Sequence, residues 1–247
     1  MRYVTPLREG GSLPAIVEGD DDGLYVLKFR GAGQGVKALI AELLGGEIGR
    51  VLGLPVPEIV FVELDAVIAR TEPDPEIQEL IKASGGLNLA LDYLPGSIMF
   101  DALIAQPAAA LASKIVWFDA LTANVDRTPR NANMLLWHKE LWLIDHGAAF
   151  FYQHNWSAFA GNAENPFRQV KDHILLPFAS EIESADAELT AKLTPEVLSE
   201  IVALIPGEWL AEAAEERAVY LEFLTNRLRG ERAFVKEAID ARRALHV

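Results

Sequence analysis

The chain has 247 residues, about half of them apolar, with no cysteine and a formal net charge of −14. That length and apolar content suit one large domain or two lobes sharing a cleft, and they leave little room for long disorder. The lack of thiols excludes disulfides, thiolate zinc sites and cysteine nucleophiles. The acidity argues against nucleic acid or an anionic membrane as partner, because both are held by clustered Lys and Arg.

Residues 1–6 contain no signal-like apolar core, and no apolar run reaches the roughly 18 residues of a membrane span, so a cytoplasmic protein is expected. In chain order, residues 13–17 and 24–29 read as strands of a hairpin around the acidic turn Asp20-Asp21-Asp22. A helix is predicted over 34–52, where Val36, Leu39, Ile40, Leu43, Leu44, Ile48 and Val51 recur at spacings of three and four before Gly53 and Pro55. Strands over 58–64, 66–69 and 87–94 follow. Beyond Pro95-Gly96, residues 97–121 are mostly helix formers. Two short strands (134–137 and 141–144) then precede a helical remainder punctuated by Pro206 and Gly230. The pattern predicts an α+β, bilobal fold. Residues 1–94 form a small β-rich lobe with one helix, and residues 95–247 a larger, mainly helical lobe.

The chemistry concentrates after residue 120. Asp126 and Asn131 lie five apart in one polar loop, and Asp145 arrives in Ile144-Asp145-His146-Gly147 after apolar, strand-like runs. Phosphoryl transfer needs a carboxylate near the nucleophile and oxygen ligands for magnesium. The combination resembles the magnesium–ATP site of the protein-kinase superfamily, which implies that Asp126 faces the acceptor hydroxyl while Asn131 and Asp145 bind metal. Taken alone, an Asp and Asn at this spacing also describe an ordinary capped turn.

Lys28 lies within the apolar strand 24–29, where burying its ammonium requires a partner. In that superfamily such a lysine holds the nucleotide's phosphates and pairs with a glutamate on the next helix. Glu42 is the first candidate, because Ala38, Gly45, Gly46 and Gly49 give its helix face small residues that another backbone can approach; Glu47 is the rival. Gly11 and Ser12 are candidates to fold over phosphates, with a plain turn as the equal alternative. Leu91, Asp92 and Tyr93 occupy the position of an interlobe hinge whose backbone would meet adenine. Arg130 is placed to reach a transferring phosphoryl group. Arg127 is placed instead to pair with a nearby carboxylate and hold the loop, and a plain structural ion pair is open to either arginine. Gly31 to Gly35 precede no Walker lysine. His146 and His154 make no zinc motif, and no serine-hydrolase elbow is present.

Together, Lys28 before a glycine-containing loop, Ala38-Leu-Ile-Ala-Glu42, Leu52-Gly-Leu-Pro-Val-Pro-Glu58, Asn124-Val-Asp126-Arg127 with Asn131, and Ile144-Asp145-His146-Gly147 resemble the HipA-like kinase family. More distantly, the last two pieces are similar to phosphatidylinositol 3/4-kinases. The resemblance spans residues 10–156 and a helix start at Ile205-Pro-Gly-Glu-Trp209. It implies a bilobal kinase-like fold, ATP and magnesium as cofactors, and phosphorylation of a protein serine or threonine. The family's namesake is a bacterial toxin with an antitoxin partner. This chain is much shorter, and its residues do not themselves indicate an antitoxin-like partner. Two other readings stay open: a kinase of hydroxylated small molecules, and a nucleotide-binding pseudokinase that serves as an interaction module.

Overall fold

The computed structural model describes residues 2–7 and 13–245. Gly11 and Ser12, candidates for the phosphate loop, lie outside the described residues.

The first part of the chain is an antiparallel sheet of five strands in the order β1-β2-β3-β5-β4: β1 (Arg2–Pro6), β2 (Ala15–Glu18), β3 (Leu24–Lys28), β4 (Ile59–Leu64) and β5 (Gly86–Asp92). Helix α1 (Val36–Leu52) covers one face. Its Leu39, Ile40, Leu43, Leu44, Ile48 and Leu52 join Leu89 and Leu91 in the main core, which runs on into the second half of the chain. On the other face, Val17, Leu27, Leu64 and Ala90 pack against Ile77 and Ile81 of helix α2 (Pro75–Ala83). Side chains alternate along a strand. In the β3–β5 register Leu27 stands opposite Ala90 and Lys28 opposite Leu89. Leu27 therefore goes under α2, and Lys28 shares the α1 face with Leu89. Burying the sheet on both sides is what leaves Lys28 dependent on a partner.

Two details of this half differ from the sequence pattern. Residues 66–69, read as a strand, belong to the 3-10 turn Ala66–Thr71, because Asp65 caps it by accepting the amide of Val67 at 2.9 Å. The structure also adds α2, whose start is signalled by Asp74 at the N-cap and Pro75 in the first turn.

After β5 the chain crosses to a three-stranded sheet, β6 (Ile98–Met99), β7 (Met134–Trp137) and β8 (Glu140–Leu143). Residues 97–108 are thus not helical; helix α3 runs from Ala109 to Thr122. His138 and Lys139, with φ of 50° and 70°, close the β7–β8 hairpin in the left-handed geometry that tight hairpins prefer. Five short 3-10 turns between Phe151 and Phe178 lead to α4 (Ile182–Thr190), α5 (Pro195–Ala203), α6 (Ala213–Leu228) and α7 (Ala233–Ala244). Arg227 of α6 is buried and donates to the carbonyls of Ala120, Leu121, Ala163 and Asn165. A cation at the negative end of α3 complements the helix dipole and satisfies carbonyls that the helix leaves open. Arg227 therefore fixes the point from which the polar loop departs. Among the described residues, no helix is long and apolar enough to cross a membrane.

Candidate active site

Three elements meet on the cation of Lys28. Its Nζ lies 2.6 Å from Glu42 Oε2 on α1 and 2.6 Å from Asp145 Oδ1 in the turn after β8. Glu42 is fully buried. Glu47 instead lies 3.7 Å from Arg50, one turn along the same helix. Burial opposes the charge on Lys28, but the Glu42 and Asp145 carboxylates outweigh it and hold the lysine pKa above its ordinary value. Burial also raises Glu42, with Lys28 pulling it back. At 2.6 Å, with both lysine contacts carboxylates, the charged pair is the state that satisfies both groups. Asp145 is held low, first by Lys28 and against the effect of burial.

Close packing of α1 makes this possible. A Cβ on Gly45 would stand 2.8 Å from the Cβ of His146, so only glycine lets the helix approach the turn to this distance. Asp145 itself has a φ of 56°, an uncommon conformation for a residue with a side chain and one typical of functional turns.

Beneath the turn lies a buried polar network centred on Asp119 of α3. Its carboxylate accepts Arg127 Nε at 2.5 Å, Asn124 Nδ2 at 3.0 Å and His173 Nε2 at 2.9 Å. Burial opposes ionisation of Asp119, but the Arg127 charge and the His173 bond outweigh it and keep its pKa far below the ordinary carboxylate range. Arg127 also donates to the carbonyl of Asn133 at 2.5 Å and stands 3.4 Å from His146 Nδ1. A guanidinium only donates, so His146 Nδ1 is the acceptor and the ring proton sits on Nε2. Burial, followed by the Arg127 charge, pushes the His146 pKa down to about 3, so the ring is neutral near pH 7. Arg127 thus pairs with a carboxylate and holds the loop, as its place in the sequence suggested.

The loop is drawn tight by a backbone bridge between Thr128 and Asn131, with amide–carbonyl distances of 2.9 and 3.1 Å. Pro129 and Arg130 form its tip. Arg130 is exposed, and among the described residues its side chain has no partner. Asn131 Nδ2 donates to Asp126 Oδ2 at 2.8 Å, which leaves the Asn131 amide oxygen as the atom open to a cation. The β7–β8 register, with Ile144 N bonded to Asn133 O at 3.0 Å, brings the end of this loop beside the start of the Asp145 turn.

At the hinge, the amides of Asp92 and Tyr93 donate to Glu58 O and Leu24 O, and Leu91 pairs within the sheet between β3 and β4. Those two amides are therefore committed to the sheet and are not free for a ligand, which leaves carbonyls as the backbone groups this stretch could offer. Among the described residues, the amide of Leu94, next in the chain, has no backbone partner.

Among the described residues, no three His, Asp or Glu side chains are grouped to hold a metal. Magnesium does not require such a cage: it is commonly bound by one or two protein oxygen ligands together with substrate phosphates and water. An amide oxygen from Asn131 and a carboxylate from Asp145, whose side chain is 43% exposed, fit that demand in type and accessibility. Sequence reasoning missed Asp119, His173 and Asn133. The only trace of Asn133 was its place two residues after Asn131.

A two-lobed α+β fold with a lysine–glutamate–aspartate junction beside an Asp/Asn loop describes a kinase-like phosphotransferase. The family model for HipA-like kinases matches residues 2–235, so the chain belongs to the HipA-like kinase family. No curated protein matches it in sequence. Among solved structures, the crystal structure of a Helicobacter pylori proinflammatory kinase, CtkA, is similar with a TM-score of 0.58 and 12% identity, covering 100% of this chain and 98% of that one. At that identity the likeness is one of fold.

Proposed function

We propose that the protein is an ATP- and magnesium-dependent kinase that transfers the γ-phosphoryl group to a hydroxyl, with a protein serine or threonine as acceptor. The observation that carries this reading is the double contact of Lys28 with Glu42 and Asp145. An ammonium has three N–H donors, and two are taken by carboxylates, so the third is left for a phosphate oxygen. Asn131 and Asp145 would hold the metal, which supplies charge neutralisation across the phosphates.

In this reading the acceptor oxygen forms a bond to the γ-phosphorus as the bond to the bridging oxygen breaks. ADP leaves with that electron pair, and the acceptor's proton passes to Asp126. Arg130, exposed and, among the described residues, unpaired, contributes a cation where charge develops. With a net charge of −14, a polyanion is retained only at local cations such as these. The choice of a protein acceptor is supported by the family resemblance.

The test is ATP turnover and phosphate transfer by the wild type, Asp126→Ala and Asp145→Ala, each offered peptide libraries and hydroxylated small molecules. Loss of turnover in both variants with transfer to peptides is the expected result. Undiminished turnover in both would overturn the assignment, transfer to small molecules alone would change the acceptor, and nucleotide binding without turnover would leave an interaction module.

A further inference from the structure

A carboxylate has two equivalent oxygens, and only one of them can face an acceptor hydroxyl. In Asp126 the two are already different. Oδ2 accepts the amides of both Asn131, at 2.8 Å, and Asn133, at 3.2 Å, whereas Oδ1 has no hydrogen bond among the described residues. Asn133 makes a further bond to the backbone carbonyl of Asp126 at 3.1 Å, so its amide grips both ends of the residue.

Asn133 has little freedom of its own. It is 4% exposed and has a φ of 48°, a left-handed conformation that Asn tolerates better than most residues. Its carbonyl is held by Arg127 at 2.5 Å and by the amide of Ile144 at 3.0 Å, and Arg127 is in turn anchored on Asp119. Asn131 is a different kind of partner, because the proposed function also gives it a metal to hold.

We propose that Asn133 is a positioning residue: by occupying Oδ2 it turns Oδ1 of Asp126 toward the acceptor hydroxyl. The inference rests on the reading of Asp126 as the carboxylate that meets the acceptor. It goes further in naming the oxygen and the side chain that selects it. Without Asn133 the carboxylate rotates more freely, and the fraction of time in which an oxygen is aligned with the hydroxyl falls.

Asn133→Gly tests this, because glycine accepts the left-handed backbone without strain while the side chain that carries the amide is removed. The expected result is a kcat lower by about 10- to 100-fold, the range that misplaced reacting groups produce. Nucleotide Kd by calorimetry should stay within about twofold, because the lost interaction acts on the chemical step and not on ground-state binding. Asn133→Asp, which sets a like charge against Asp126, should lower kcat further. A second measurement does not depend on turnover: both side-chain amide protons of Asn133 should exchange slowly by NMR, and in Asp126→Ala the one held by Oδ2 should lose its protection while the one on the backbone carbonyl keeps it.

A wild type whose activity depends on Asp126 but is matched by a folded Asn133→Gly sinks this inference alone. So does a fall in kcat that tracks a fall in Tm and in nucleotide affinity, or an Asn133 amide indifferent to Asp126→Ala. Activity that survives Asp126→Ala sinks the underlying reading, and this inference with it.

Discussion

Lys28 and Asp145, separated by 117 positions in the chain, stand 2.6 Å apart, and the same ammonium is 2.6 Å from Glu42. One cation thus fastens a strand of the five-stranded sheet, the helix that covers it and the turn leaving the β7–β8 hairpin. The junction depends on all three staying in place.

Glu42→Gln removes one charge from that junction and leaves Asp145 to hold the lysine. A stability loss of about 1.5–3 kcal/mol is expected, as for a hydrogen bond to a charged group. Nucleotide-dependent turnover should fall by about 10- to 100-fold as Lys28 loses its fixed position. Chemical denaturation and steady-state kinetics check both, and wild-type turnover in the variant would remove Glu42 from the site.

Gly45 and Gly46 should respond differently to alanine. Replacing glycine in a helix ordinarily stabilises by about 1 kcal/mol. At Gly45 the new methyl meets the Cβ of His146 at 2.8 Å, next to the backbone of the turn, and overpacking of about 1–3 kcal/mol should reverse the sign. At Gly46 it meets the mobile end of Ile59, which can swing aside, so Gly46→Ala should be the milder change. Thermal melts of the two variants decide the order.

Arg130→Ala should separate chemistry from stability. The side chain is exposed and, among the described residues, unpaired, so Tm should stay at the wild-type value. If the guanidinium meets the transferring phosphoryl group, kcat should fall by about 100-fold, as when one transition-state donor is deleted. Unchanged kcat would exclude that role.

The Asp119 network predicts an acid limit to stability. A carboxylate whose folded pKa lies below the unfolded value of about 3.9 contributes its full stabilisation above that pH. The contribution is lost as the pH falls toward the folded pKa, so wild-type stability should drop steeply below about pH 4. Asp119→Asn should show a flatter profile there, and at pH 7 it should be less stable by about 3–5 kcal/mol because Arg127 is left as a buried, uncompensated charge. Urea titrations across pH 3–7 test both the slope and the offset.

Arg227 makes a second buried-cation prediction of opposite character, because its partners are four carbonyls and no carboxylate. Arg227→Met should cost about 3–5 kcal/mol through stranded carbonyls at the end of α3. Arg229→Met, two residues on and exposed, should stay within about 0.5 kcal/mol.

Much of this protein was legible before any coordinates. The apolar spacing of residues 36–52 marked α1, and the run from Asn124 to Gly147 marked a polar loop, a strand pair and a second polar turn, because periodicity and short-range spacing are written directly into a chain. Reading 66–69 as a strand failed because local β propensity is weak beside a capping bond from Asp65. The hinge reading rested on position alone and could not show that the amides of Asp92 and Tyr93 are spent on neighbouring strands.

By itself, the order of residues determined which side chains were available for chemistry and that an apolar strand carried a lysine in need of a carboxylate. Only the tertiary structure decided that Glu42 and not Glu47 supplies it, that Arg127 turns inward to Asp119, and that Asn133 closes on Asp126. Each of those choices depends on which groups lose water together. A buried polar atom takes whatever partner the packing brings within reach, and that partner can lie anywhere in the sequence.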